Sequence, residues 1–214
     1  MELHKINKPL ESINTILSHF PVKQPSLLEP GQTLPIKVKN EKASRKIYFL
    51  LDGALISSVG KDEKKQNLGI MMSPSIIGLG QLAPDGTIAQ HEAIAPCMID
   101  SINIDDFIKV IEEQHLWPDV INVMVTIINS LAARTATSGL QSAYEIIRSY
   151  LIYMDSENAC AIKERYTVVK YMQTFSRLSR SIIFKILAEL KAGGVIEMEK
   201  GRLVRINRNL PDRF

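Results

Sequence analysis

The spacing of apolar residues changes twice along the chain. Residues 9–20 place apolar side chains at helical intervals after Pro9, which predicts a short amphipathic helix. Over residues 27–101 the pattern becomes short runs of Ile, Val and Leu separated by turn signals such as Asp52-Gly53. Many short strands joined by tight turns predict a small antiparallel β-roll. Helical spacing returns from residue 105 onward.

A long helix is predicted from Pro118 to about Ser138, and it is apolar on two sides. One stripe has the 4-3-4 spacing of a coiled-coil seam and consists of Val120, Met124, Ile127 and Leu131. The second stripe consists of Ile121, Val125, Ile128 and Ala132. Such a helix needs two partners, and we predict its own β-roll on one side and the same helix of a second subunit on the other. A helix buried within a monomer is the alternative.

The last quarter of the chain has the element order of a winged helix-turn-helix. A helix is predicted to begin at Ala143, after Gly139 breaks the preceding pattern. It is followed by a polar loop, two helices around a sharp turn over residues 176–178, and two strands that meet at Lys200-Gly201. The predicted fold class is therefore α+β. The predicted domains are a β-roll over 1–116, a dimerisation helix over 117–138 and a winged helix-turn-helix over 139–214.

Charge is distributed unevenly between these parts. From Lys163 to the end there are 12 Lys and Arg against 5 Asp and Glu, whereas the preceding residues carry 14 against 18. A basic surface confined to one compact segment is typical of proteins that bind polyanions, since each neutralised phosphate releases counterions. A solvated basic tail is the alternative from charge alone.

The second helix of the turn motif is predicted to read DNA. Ile183, Ile186, Leu187 and Leu190 share one face and should pack inward, while Ser179 can cap the helix. Arg180 is the candidate base reader, because its guanidinium matches guanine O6 and N7. The other outward candidates are Ser181, Lys185 and Phe184, the last of which either touches a thymine methyl or packs against the preceding helix.

Further residues are predicted to contact the DNA backbone and set the register. They are Thr174, Ser176 and Arg177 around the turn, with Lys200 and Arg202 on the wing. The competing interpretation of this whole segment is a helical hairpin used for protein contacts. Double-stranded DNA and a second copy of the chain are the predicted partners, and RNA polymerase is a further candidate.

Several stretches together resemble the superfamily of the cyclic-AMP receptor protein and the fumarate–nitrate regulator. LSRSIIFKILAELKAGGVIEMEKGRLVRI resembles its recognition helix and wing, and KIYFLLDGALISSV resembles a strand pair of its β-roll. PSIIGLGQL resembles the segment that enters its nucleotide pocket, and IDDFIKVIEEQHLWP resembles its hinge. The resemblance implies a bacterial, cytoplasmic transcription regulator. Within the superfamily the likeness is to the enterobacterial inhibitor of hydrogen-peroxide resistance branch, which implies a role in stress responses.

The departures from this superfamily bear on its ligand. Members that bind cyclic nucleotides carry a Glu for the ribose and an Arg-Ser pair for the phosphate, where this chain has Leu79, Ala89 and Gln90. A buried phosphate without an Arg would lose its charge-assisted partner, so we expect a degenerate pocket that does not bind cyclic AMP. Ser181 stands where many members have Glu, and Arg177 replaces a small turn residue, so a different operator is expected.

Other classes of protein and site receive little support. The four histidines stand apart from acids and nucleophiles, so the sequence predicts no enzyme, no cofactor and no metal site. Cys97 and Cys160 are too far apart in sequence for a cluster, although Cys97 would suit a redox switch if its thiol were exposed and its pKa lowered. No apolar run approaches a membrane span.

A sensor or adaptor is the alternative function. In that case the β-roll would bind a partner protein, or a small molecule that is not a cyclic nucleotide. Leu79, Ala89, Gln90 and His91 would then line an apolar or mixed cavity.

Overall fold

The structure is a computed structural model, and it describes residues 8–36, 45–60, 65–83, 89–137, 142–155, 162–163, 166–176 and 178–211. The described chain forms two compact units, one over residues 8–128 and the other from residue 129 onward. Among the described helices, none is long and apolar enough to cross a membrane.

The first unit begins with a helix and continues as a β-roll. Helix α1 covers Leu10–Ser18 and is followed by seven strands. These are β1 (Ser26–Leu28), β2 (Lys46–Asp52), β3 (Ala54–Val59), β4 (Gln66–Met72), β5 (Ser75–Ile77), β6 (Gln90–Ala93) and β7 (Cys97–Asn103). The strands pair antiparallel in two sheets, with orders β1-β7-β2-β5 and β4-β3-β6. A short 3₁₀ helix lies at Leu79–Leu82. The β-roll predicted from the short apolar runs is confirmed.

Gly53 makes the turn between β2 and β3 possible. Its φ is +94°, and a Cβ built there would lie 2.3 Å from the backbone oxygen of Pro96. A side chain at this position would therefore meet both a strained backbone and a neighbouring strand. The turn dipeptide Asp52-Gly53 marks this position in the sequence.

Two apolar clusters hold the first unit together. One fills the β-roll between its sheets and includes Leu50, Leu55 and Ile99. The other lies where α1 and α2 (Ile104–Glu113) pack on the outside of the roll, with the ring centroids of Phe20 and Phe107 stacked 5.2 Å apart.

The two apolar stripes of helix α3 (Trp117–Thr137) differ in burial, and the predicted seam is the more buried one. Val120 is fully buried in the cluster with α1 and α2, and Met124 packs partly against the same cluster. The prediction of Val120 as an intersubunit contact is therefore wrong, because its side chain is fully buried within its own unit. Ile127 and Leu131 are partly exposed.

The second stripe of α3 is the more exposed one. Ile121, Val125 and Ile128 are 56%, 46% and 58% exposed, and Ala132 is exposed as well. We call Ile121, Val125, Ile128 and Ala132 the outer stripe. The two stripes have the same helical period, so the sequence showed that both exist but not which of them faces the β-roll.

The second unit has the winged helix-turn-helix order that the sequence predicts. It contains α4 (Ala143–Asp155), α5 (Val168–Phe175), α6 (Arg180–Ala192), β8 (Ile196–Glu199) and β9 (Arg202–Ile206). Its core is built around Tyr171, whose ring meets that of Tyr150 edge-on at 5.4 Å. The Tyr150 hydroxyl donates to the carbonyl oxygen of Phe175 at 2.7 Å and so ties α4 to the end of α5.

Candidate nucleic-acid interface

Helix α6 is fixed by its buried face. Ile183, Ile186, Leu187 and Leu190 are all buried, as their i, i+3, i+4, i+7 spacing predicts. Because these side chains set the rotation of the helix, residues on the opposite side must face solvent. Arg180, Ser181, Phe184 and Lys185 are all exposed.

The N-terminus of α6 is capped by a side chain. The Ser179 hydroxyl accepts a hydrogen bond from the backbone N–H of Ile182, which confirms the predicted cap. The Ser179 and Ser181 hydroxyl oxygens lie 3.0 Å apart, and both residues are exposed. The positive end of the helix dipole therefore opens to solvent beside Arg180, an arrangement suited to phosphate.

Two hydroxyl groups that we predicted to contact the DNA backbone form hydrogen bonds at the end of α5 and in the turn before α6. The Ser176 hydroxyl donates to Met172 O at 2.7 Å and accepts from Leu178 N at 3.3 Å. The Thr174 hydroxyl donates to Lys170 O at 2.8 Å. The Ser176 bonds stabilise the turn, whereas the Thr174 bond lies within α5. Neither favours the prediction that Thr174 and Ser176 contact DNA. Arg177 lies outside the described residues.

The wing is anchored to the body of its unit. Val168 N donates to Gly201 O at 2.9 Å, and Arg202 donates from Nη1 to the carbonyl oxygen of Lys163. Lys200 and Gly201 form the tip, with φ values of 47° and 80°. Arg202 thus has a structural contact besides its predicted role, while Lys200 is left exposed at a rigid turn.

A groove of about 720 Å³ runs along the exposed side of α6 between α5 and the wing. Its floor is apolar and includes Phe184, Leu187, Ala188 and Met198. The described residues that line it include four cations and no acid, and the cations are Lys170, Arg180, Lys191 and Lys200. An electropositive cleft beside an exposed helix N-terminus can accept a polyanion.

Lys170 and Lys191 are two residues of this groove that the sequence interpretation did not select. Lys191 follows Arg180 by 11 residues, which is three helical turns, so the period of α6 places it on the same face. Lys170 belongs to a different helix, and only the packing of α5 on α6 brings it to the groove.

The residues predicted to form a degenerate pocket lie in different surroundings. Leu79 is buried in the cluster with α1 and α2, whereas Gln90 is exposed and Ala89 is half-buried. His91 is buried, and its Nδ1 lies 2.8 Å from the Ser57 hydroxyl oxygen. Residues 84–88, which precede this segment, lie outside the described residues.

Burial gives His91 an effect on stability that depends on pH. Desolvation lowers the pKa of His91 to about 4, against 6.5 for a solvated histidine. Between these values the unfolded chain binds a proton that the folded chain does not, so stability falls as pH drops from about 6.5 to about 4. The loss amounts to about 3 kcal/mol at most.

Substitution of His91 tests this linkage. We expect urea unfolding at pH 7.5 and pH 5 to show a smaller difference in stability for His91→Asn than for the wild type. His115→Asn removes an exposed histidine and serves as the control. An unchanged pH dependence in His91→Asn would contradict the buried, neutral state of this ring.

Cys97 does not meet the two conditions for a redox switch. The thiol is fully buried, and its Sγ lies 3.3 and 3.2 Å from the carbonyl oxygens of Ala54 and Ala95, either of which can accept its one hydrogen. Burial raises its pKa, so the reactive thiolate is disfavoured. Cys160 lies outside the described residues.

Comparisons with known proteins agree with this architecture. A family of winged helix-turn-helix DNA-binding domains matches residues 143–212. The inhibitor of hydrogen peroxide resistance from Salmonella typhimurium is 30% identical over 182 residues, which cover 81% of this chain and 82% of that protein.

Solved structures are similar over almost the whole chain. A CooA mutant from Carboxydothermus hydrogenoformans superimposes with a TM-score of 0.67 at 16% identity, over 94% of this chain and 92% of that one. A transcriptional regulator of the CRP/FNR family from Thermus thermophilus superimposes with a TM-score of 0.59 at 13% identity, over 84% and 92%. At such identities the likeness establishes the fold, which is that of the superfamily that the sequence motifs resemble.

Proposed function

Because this chain belongs to the family of the inhibitor of hydrogen peroxide resistance and carries a winged helix-turn-helix DNA-binding domain, we propose that it is a sequence-specific transcription regulator that acts as a homodimer. The observation that carries the proposal is the groove along α6. Arg180 and Lys191 lie on the exposed side of this capped helix, whose opposite face is buried. Lys170 and Lys200 line the groove beside it.

The exposed cations on and around α6 divide into base readers and phosphate contacts. Arg180 and Lys185 lie near the N-terminus of α6, the part of a recognition helix that reaches base edges. Lys200 at the wing tip and Lys170 on α5 line the groove beside that helix and suit the phosphate backbone. Binding should therefore weaken steeply with salt, because each phosphate contact releases counterions.

The outer stripe of α3 supports the homodimer. Ile121, Val125 and Ile128 follow one another at spacings of four and three residues, and each is about half exposed. Apolar surface in a continuous helical row is the pattern of an intersubunit helix pair. We propose the outer stripe as the dimer seam, with Leu131 at its margin.

The β-roll is proposed not to bind cyclic AMP. Leu79 stands where nucleotide-binding members carry the ribose-binding Glu, and its side chain is buried among apolar residues. Ala89 and Gln90 supply no cation for a cyclic phosphate, and an unpaired buried phosphate is costly. The roll then has a structural role or responds to a different effector. Peroxide sensing through Cys97 has no support from its burial and raised pKa.

Selection from a pool of random duplexes tests the proposed function. The intact chain, incubated with the pool at low salt, should enrich a defined sequence within a few rounds. Addition of cyclic AMP should change neither the enriched sequence nor its affinity. A pool that stays random would contradict sequence-specific binding, and a requirement for cyclic AMP would contradict the degenerate pocket.

A further inference from the structure

Arg180 and Phe184 form a contact that nothing in the element order requires. The Arg180 guanidinium carbon lies 5.2 Å from the centroid of the Phe184 ring, within the range of a cation–π interaction. The two residues are four positions apart on α6, so they project from the same face one turn apart. The ring therefore lies under the side chain that we propose as the base reader.

No other described group holds this guanidinium. Among the described residues, neither a hydrogen bond nor an ion pair joins Arg180 to the rest of the chain, and no acid lines the groove beside it. An arginine side chain that moves freely in solvent loses rotamer entropy when it is fixed. The Phe184 ring is the described group that the Arg180 guanidinium contacts.

The exposure of Phe184 needs an explanation of its own. The ring is 48% exposed on the outward face of the helix, so it contributes little to the core. Single exposed apolar side chains are common on protein surfaces, but this one lines the groove and contacts Arg180. One of the two interpretations from sequence, burial against the preceding helix, does not account for this exposure.

We propose that Phe184 is a positioning residue that holds the Arg180 guanidinium over the exposed face of α6 in readiness for a base edge. This inference rests on the proposed function, because it concerns how the same surface discriminates among sequences. Preorganised donors bind more tightly, since less conformational entropy is lost on binding. Lys185 is exposed on the same helix without such an aromatic partner among its described contacts, so Phe184 distinguishes the two cations.

A double-mutant cycle tests the proposal with the duplex selected by the wild-type chain. Phe184→Ala should lower affinity for that duplex about two- to fivefold for each half-site and leave affinity for a random duplex unchanged. In an Arg180→Ala background the same substitution should have no further effect. Additive effects of the two substitutions would overturn the proposal.

Two further variants distinguish the effect of the aromatic face of Phe184 from the effect of its apolar volume. Phe184→Tyr keeps the aromatic face and should bind as the wild type does, whereas Phe184→Leu keeps apolar volume and should bind as Phe184→Ala does. Full binding by Phe184→Leu would overturn the proposal. Ile182→Ala, which truncates a similarly exposed apolar residue of α6, is the control and should leave discrimination unchanged.

Replacing each thymine of the selected duplex by deoxyuridine, which lacks the methyl group, tests whether Phe184 contacts a thymine methyl directly. If Phe184 contacts a thymine methyl directly, one replacement should weaken the wild type but not Phe184→Ala, and the effect should persist without Arg180. That result would overturn the positioning role. A wild-type chain that did not discriminate the selected from the random duplex would instead refute the proposed function itself, before any variant is compared.

Discussion

Ile128→Glu is expected to convert the homodimer into a monomer of 24.0 kDa. Ile128 is the most exposed of the three large residues of the outer stripe, and a carboxylate there would be buried without a partner in a helix pair. Because a dimer engages two half-sites at once, the monomer should lose about a hundredfold or more in affinity for the selected duplex. Sedimentation velocity at micromolar concentration and a binding titration measure the two effects.

The matched control for this substitution is one position further along α3. Asn129 is also exposed and lies about 100° around the helix from Ile128, at the edge of the stripe next to Val125. Asn129→Glu therefore adds the same charge where a carboxylate can stay in solvent. It should leave the dimer intact. A monomeric wild type, or a dimer that survives Ile128→Glu, would contradict the outer stripe as the seam.

Arg180→Ala is expected to remove most of the preference for the selected duplex. A bidentate arginine–guanine pair discriminates by about 1 to 3 kcal/mol, and a dimer loses two of them. Affinity for a random duplex should change little, because no base-specific contact exists there. Titration of both duplexes under identical salt gives the ratio directly.

Lys200→Ala provides the contrast for a phosphate contact. Lys200 lies at the wing tip and not on α6, so its loss should weaken both duplexes similarly and reduce the salt dependence of binding. If Arg180→Ala also weakened both duplexes equally, Arg180 would be a phosphate clamp and not a base reader.

The sequence predicted those features of the fold that depend only on residues close together in the chain. The buried face of α6 follows from the spacing of Ile183, Ile186, Leu187 and Leu190, and the cap follows from Ser179. The turn at Gly53 follows from a dipeptide whose glycine alone accepts that backbone. Each of these features depends on neighbours within a few residues.

Features that depend on tertiary packing were not accessible in the same way. The two stripes of α3 are equally apolar, and only the fit against α1 and α2 buries Val120 and leaves Ile128 exposed. The groove joins side chains from α5, α6 and the wing, so Lys170 carried no signal on its own. The hydroxyls of Thr174 and Ser176 donate hydrogen bonds to carbonyl oxygens of the protein, which the residue types alone do not predict.

The spacing of the half-sites in the selected duplexes tests the central claim most directly. Two copies of α6 related by a dimer axis should enrich an inverted repeat whose half-site centres lie about 10 base pairs apart, one turn of the duplex. The same spacing should appear in footprints of the wild-type chain on those duplexes. Enrichment of a single unrepeated site, or of no site at all, would contradict a homodimer that reads DNA through Arg180 and its helix.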